Sequence, residues 1–303
     1  MSWEPLAALG RLEVHERTPR TLVAVRLREA TVALTGLASI GAGIFDQCPG
    51  LRYIGVLATG YDMVDVRTAT ERGVTVSNVP GYGTAAVSQQ ALALLLEICH
   101  NVGRYSQAVH EGGWVSSRGW CFGDHPLIEL EGLTMGVVGL GRIGQAMARM
   151  ARAMGMEVMA DQEHPAAWPG PLADYVPLAE LLASSDVICL SCPLGESNME
   201  MINRETISGM KDGVIIINVA RGGLVNDLAL AQALESGKVR AAGLDVVSSE
   251  PLRPGDPLYG AKNCFITPHV AGTGRKSRQR LLDVAVSNLR HFLGGRPANL
   301  VNP

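Results

Sequence analysis

Three segments of this 303-residue chain carry side chains in settings where they could do chemistry. Arg221 stands just past a buried apolar run and before two glycines, in Asn218-Val-Ala-Arg221-Gly-Gly223. A guanidinium there is suited to hold a carboxylate through paired hydrogen bonds. Asp245 and Glu250 follow a second apolar run, and His269 follows a third, in Thr267-Pro268-His269. An acid and an imidazole at the ends of neighbouring strands could meet in space. The carboxylate would fix the tautomer of the imidazole and raise its pKa, which favours a protonated general acid. Taken singly, each has a plainer reading: a surface arginine in a glycine turn, or a structural histidine after proline. The shared position after strand ends is what favours chemistry, and His15, His100, His110, His125, His164 and His291 have no such setting and are assigned to surface or core.

A fourth segment reads as a cofactor loop. Gly139-Leu140-Gly141-Arg142-Ile143-Gly144 follows an apolar strand and opens a helical pattern. The first glycine allows a tight turn, the second lets the backbone approach a pyrophosphate, and the third lets helix pack on strand. The free N–H groups at the helix start would face the phosphates. Asp161 ends the next strand about 20 positions beyond Gly141, where an acid is expected to hold the ribose hydroxyls. It would repel a 2′-phosphate, and Gln162-Glu163 behind it bring no arginine, so NAD is expected and NADP disfavoured. Cys189 and Cys192 form a C-x-x-C without a second pair, and read as small residues at a strand end; no metal is expected.

The elements that must place these groups alternate along the chain. Strands are expected at residues 31–36, 52–58, 74–80, 134–139, 156–160, 187–191, 213–220, 241–247 and 264–267. Helices are expected at 85–100, 142–155 with Gly155 as its cap, 177–185, 228–236 and 276–293. Alternation of this kind with near-continuous apolar strands predicts parallel sheets with helices on both faces. The length fits two α/β units, and the dinucleotide signal lies only in the middle. A net charge of −3 without charge blocks argues against nucleic acid or an anionic membrane as partner. No apolar run reaches membrane length and the start lacks a signal-peptide layout, so a soluble, cytoplasmic protein is expected.

Together, GLGRIG, NVARGGLV, GLDVVSSEP and TPHVAG resemble, in order and spacing, the D-isomer-specific 2-hydroxyacid dehydrogenases. The runs YIGVLATGYDMVD, VSNVPGYGT and HPLIELEG look most like the glycerate dehydrogenase, or hydroxypyruvate reductase, branch. The resemblance implies hydride transfer between NAD(H) and a small 2-keto or D-2-hydroxy acid. His269, paired with Glu250, would donate the proton and Arg221 would bind the carboxylate. Ala58, Thr59 and Gly60 would offer backbone donors to it. Asp245 would face the nicotinamide carboxamide, Val219 and Ala220 would line its site, and Cys192 and Pro193 would pass near the adenine.

The family fold implies two doubly wound domains, Rossmann-like and flavodoxin-like, with a cleft that closes over substrate, and usually a homodimer. On that pattern residues 1–94 and 275–303 form a discontinuous substrate domain and 95–274 the NAD-binding domain. This chain departs from the pattern at its start: it opens on the helix SWEPLAALG, so the first domain is expected to lack its first strand, with apolar surface bared and its stability compromised. Ser191, Gly195, Asn226, Gly272 and Gly36-Leu37 also differ from common family residues, which bears on substrate more than on reaction. Open alternatives are a dehydrogenase for another 2-keto acid, and an NAD-binding relative without catalysis, such as a corepressor.

Overall fold

The computed structural model describes residues 2–123, 126–161 and 172–302. The chain divides into two compact units, residues 1–83 with 272–303, and residues 84–271.

The first unit holds a parallel sheet of β1 (Val32–Thr35), β2 (Tyr53–Val56) and β3 (Thr75–Ser77), in that order. All four residues of β2 are buried, as befits the central strand. The helix Val23–Leu27 leads into β1, Ala42–Gln47 and Val66–Glu71 connect the strands, and Ala24, Phe45 and Ala69 join Ile54, Val56 and Val76 in one core. The outer edge of β3 is covered by the chain's return: Val301 N–H donates to Val76 O at 2.9 Å, and Asn302 Oδ1 accepts from Val76 N–H at 2.7 Å. Among the described residues the sheet has these three strands, and β1 has a ladder partner on one side. Its side chains Val32 and Leu34 are not bare. They pack with Leu6, Leu9 and Leu12 from the chain start and with Leu282, Val286, Leu289 and Phe292 from the helix Arg275–Leu293. The apolar surface expected to be exposed is therefore covered by those two segments.

The second unit holds seven parallel strands. They are β4 (Thr134–Val138), β5 (Glu157–Asp161), β6 (Asp174–Tyr175), β7 (Val187–Leu190), β8 (Val214–Asn218), β9 (Val239–Leu244) and β10 (Cys264–Ile266), in the order β10-β9-β8-β7-β4-β5-β6. Strand order reverses between β4 and β7, and in such sheets ligands bind beyond the carboxyl ends of the strands near that point. The buried strands carry apolar side chains to both faces. Ile215 and Ile217 of β8 enter a core with the helices Thr84–His100 and Arg142–Ala153. Val214 and Ile216 enter another with Leu178–Ser184, Arg204–Gly209 and Asp227–Ser236. Residues 94 and 95, the expected domain boundary, lie inside the helix Thr84–His100. That helix is whole in the second unit because Ala91, Leu94, Leu95 and Ile98 all pack into its core. Gly155 follows the helix Arg142–Ala153 with φ +79°, the left-handed stop expected of it.

Candidate active site

β8, β9 and β10 end in register. Asn218 lies beside Leu244, and Leu244 beside Ile266. Beyond this row come Arg221, Asp245 and His269, so three of the candidate groups leave one sheet at one edge.

His269 and Glu250 meet. Nδ1 of the imidazole lies 2.7 Å from Glu250 Oε2, and Glu250 Oε1 accepts from Val247 N–H at 3.2 Å. The bond to Glu250 raises the His269 pKa above the ordinary histidine value. Burial opposes it, the negative charges of Glu250 and Asp245 add to it, and Arg221 works against it. Burial pushes the Glu250 carboxyl up, but the His269 bond and charge, the Val247 N–H and Arg221 outweigh that and leave it below its usual range. Both shifts favour an imidazolium–carboxylate pair, with Nδ1 facing Glu250.

Arg221 is placed by a turn. Asn218, 1% exposed, accepts from Ala220 N–H at 3.0 Å and donates from Nδ2 to Arg221 O at 2.9 Å. The Arg221 guanidinium bonds Ala220 O at 2.8 Å. A Cβ on Gly222 would fall 1.9 Å from the Val247 carbonyl carbon, so only glycine lets the segments after β8 and β9 touch. Val219 is buried and Ala220 partly so. Asp245 is also 1% exposed. Its Oδ1 accepts from the Thr267 hydroxyl at 2.6 Å and Val270 N–H at 3.0 Å, and Oδ2 from Ala271 N–H at 2.9 Å. Its carboxylate thus organises the turn that bears His269, beyond the carboxamide contact expected of it.

The glycine loop fits a dinucleotide. Gly139 has φ +87°, and a Cβ there would lie 2.7 Å from Cys192 Cα. Gly144 is packed so that a Cβ would lie 2.2 Å from Gly139 O, whereas Gly141, at the start of the helix, has nothing within 4 Å of where a Cβ would project. The open cradle is therefore at the second glycine, beside the N-terminal turn with Arg142 and Ile143. Asp161 ends β5, and its carbonyl accepts from Gly139 N–H at 3.1 Å. The Ser191 hydroxyl donates to Gly139 O at 2.6 Å and so braces the loop. Cys192 Sγ lies 3.9 Å from Asn198 Nδ2, which also donates to Pro193 O at 2.8 Å. Burial pushes the Cys189 thiol up to about 12 and Cys192 to about 11, so both are inert thiols rather than a redox pair. No cluster of metal-binding side chains occurs among the described residues.

Ala58, Thr59 and Gly60 belong to the first unit and follow β2. Val79 N–H donates to Ala58 O at 2.9 Å, the Thr59 hydroxyl to Val79 O at 3.0 Å, and Asn78 Nδ2 to Thr59 O at 2.7 Å. Gln162, Glu163, His125 and His164 lie outside the described residues. The turn-closing roles of Asn218 and Ser191 have a faint signal, a polar residue ending or following an apolar strand. The closeness of Gly222 to residue 247 has none, since it depends on how two loops pack.

A seven-stranded doubly wound sheet with a glycine-rich crevice and an acid at the end of β5 defines a nicotinamide-nucleotide-binding protein. Residues 92–271 match the family described as D-isomer specific 2-hydroxyacid dehydrogenase, NAD binding domain. A hydroxypyruvate reductase of Blautia hydrogenotrophica is 51% identical over 100% of this chain and 95% of its own length. A crystal structure of a Thermus thermophilus protein superposes with TM-score 0.90 at 38% identity, covering 99% of this chain and 96% of that one. An NADPH-dependent glyoxylate/hydroxypyruvate reductase from Sinorhizobium meliloti, solved with NADP and malonate, has TM-score 0.85 and 31% identity over 95% and 88%. The chain belongs to the D-isomer specific 2-hydroxyacid dehydrogenase family. No helix among its described residues is long and apolar enough to cross a membrane.

Proposed function

We propose that the protein is an NAD(H)-dependent reductase of small 2-keto acids, converting hydroxypyruvate to D-glycerate and glyoxylate to glycolate. The Glu250–His269 pair carries this reading, held at 2.7 Å at the same sheet edge as Arg221. The full-length relative named hydroxypyruvate reductase supports the choice of substrate.

When bound, the reduced nicotinamide supplies a hydride for the carbonyl carbon. Gly139, Gly141, Arg142, Ile143 and Gly144 would hold the pyrophosphate. Asp161 would take the ribose hydroxyls, Cys192 and Pro193 would border the adenine, and Val219, Ala220 and Asp245 the nicotinamide. The fork of Arg221 binds the substrate carboxylate and sets the carbonyl in one orientation. His269 Nε2 donates its proton to the carbonyl oxygen as charge develops there, and Glu250 stabilises the imidazolium beforehand. Ala58, Thr59 and Gly60 are backbone donors to the carboxylate in this proposal.

Asp161 supports NAD over NADP, because a carboxylate repels a 2′-phosphate. Free cysteines throughout fit a cytoplasmic location. Exposed Trp114, Val115 and Trp120 support a homodimer that covers them, which light scattering would test. The deciding assay follows loss of NADH absorbance with hydroxypyruvate and with glyoxylate, alongside NADPH and the His269→Ala variant. Turnover with NADH that disappears in the variant is expected. Absent turnover with NADH still bound would overturn the reading in favour of a binding protein, and a preference for NADPH would overturn the role of Asp161.

A further inference from the structure

His269 meets Glu250 from a left-handed backbone, with φ +52°. A residue other than glycine holds such a conformation only when its surroundings fix it. Here the surroundings converge on one buried residue, Asp245. The His269 N–H is shared between the Asp245 and Thr267 carbonyls, each at 2.9 Å, while the Asp245 carboxylate takes the N–H groups of Val270 and Ala271. The Thr267 hydroxyl also donates to that carboxylate, at 2.6 Å.

The direction of the next bond follows. A carboxylate only accepts, so the single hydroxyl proton of Thr267 goes to Asp245. The hydroxyl oxygen is left to accept, and Gln90 Nε2 reaches it at 3.1 Å from the helix Thr84–His100. A glutamine on a packed helix, a threonine and an aspartate thus form one chain of bonds that ends on the turn carrying the imidazole.

The geometry points to Thr267 and Gln90 as positioning residues for the proton donor: acting through Asp245, they fix the 267–271 turn that aims His269 at Glu250. This deepens the reading in which His269 donates the proton, and rests on it for its catalytic consequence. Glu250, Asp245 and Arg221 are the charged groups that act on His269. Thr267 and Gln90 are neutral, so removing either leaves that set of charges intact. A change in His269 titration then reports changed geometry.

The test is an NMR titration of the His269 ring in the full chain without substrate or cofactor, for the wild type, Thr267→Val, Thr267→Ser and Gln90→Met. Loosening the turn weakens the pairing with Glu250. The His269 pKa is expected to fall by about half a unit in Thr267→Val, to recover in Thr267→Ser, and to fall by less in Gln90→Met. With NADH and hydroxypyruvate, kcat is expected to drop about tenfold in Thr267→Val, with KM for NADH within about twofold, and to return in Thr267→Ser. An unmoved titration in both Thr267→Val and Gln90→Met overturns the proposal, as does a shift that serine fails to restore. If Thr267→Val does not fold, Gln90→Met decides alone. Failure of the wild type to turn over any 2-keto acid would count against the proposed function, while the titration would still decide the positioning role.

Discussion

Replacing Glu250 by glutamine removes the negative charge beside His269 and turns one of the two accepting oxygens into a donor. The amide oxygen can still accept from the His269 Nδ1–H and the shape is kept, while the bond from the Val247 N–H is given up. The size of the effect follows from distance and exposure. With nitrogen and oxygen 2.7 Å apart, the charge centres lie roughly 4 Å from one another, where unit charges interact by about 1 kcal/mol in water and about 4 kcal/mol at an effective dielectric of 20. The two side chains are 49% and 38% exposed, so the value belongs near the lower figure, at about 1–2 kcal/mol. That corresponds to about one pKa unit. The sign is fixed by the reaction. Reduction needs the protonated imidazole, so the rate falls as pH rises through the His269 pKa, and Glu250 holds that pKa up. In Glu250→Gln the alkaline limb of kcat/KM for the keto acid should move about one unit lower, with a loss that grows between the new limb and the old and reaches about tenfold above both. A pH series of initial rates for both proteins measures it. A limb that stays in place, or moves upward, would show that this pair does not govern the proton donor.

Three further outcomes are expected. Gly144→Ala must push against Gly139 O, so it should lower stability by about 1–3 kcal/mol in thermal denaturation, while Gly141→Ala, with open space at its Cβ, should keep stability within about 1 kcal/mol yet weaken NADH binding by titration calorimetry. Arg221→Lys keeps the charge but loses the fork, and should raise KM for hydroxypyruvate about tenfold or more, with NADH affinity unchanged. The Glu250–His269 pair also contributes to stability: the raised pKa of His269 makes its share fully present below the unfolded histidine value and lost as pH rises through the folded one, and the lowered pKa of Glu250 makes its share present above the unfolded carboxyl value and lost as pH falls through the folded one. The difference in Tm between wild type and Glu250→Gln should therefore be greatest at mildly acidic pH and shrink on either side.

Much of the site is legible in the sequence because each functional group follows an apolar run that can only be a buried strand. Val214–Asn218, Val239–Leu244 and Cys264–Ile266 end where the apolar character ends, which puts Arg221, Asp245 and His269 at one edge of a parallel sheet. The glycine loop is legible for a similar reason, since its spacing is tied to a strand–turn–helix geometry. What supports these groups is much harder to read. Asn218 and Gln90 act through single hydrogen bonds to partners whose nearness depends on tertiary packing. The helix Val102–His110 buries no residue, so its sequence lacks a core stripe to reveal it. The two-residue strand β6 is too short for any pattern, and the unit to which Thr84–His100 belongs is decided by what it packs against, which its own periodicity does not encode.

The register that lines up Asn218, Leu244 and Ile266 has a consequence for how such a protein can change. Arg221 and His269 each stand three residues past the same row, on strands separated by one other, so the backbone ladder sets about 10 Å between the two strand ends that they follow. The turns beyond the strand ends, held by the Asn218 and Asp245 side chains, then place each group. Inserting or deleting one residue inside β8 or β10 would turn the residues that follow on that strand, and with them Arg221 or His269, toward the opposite face of the sheet.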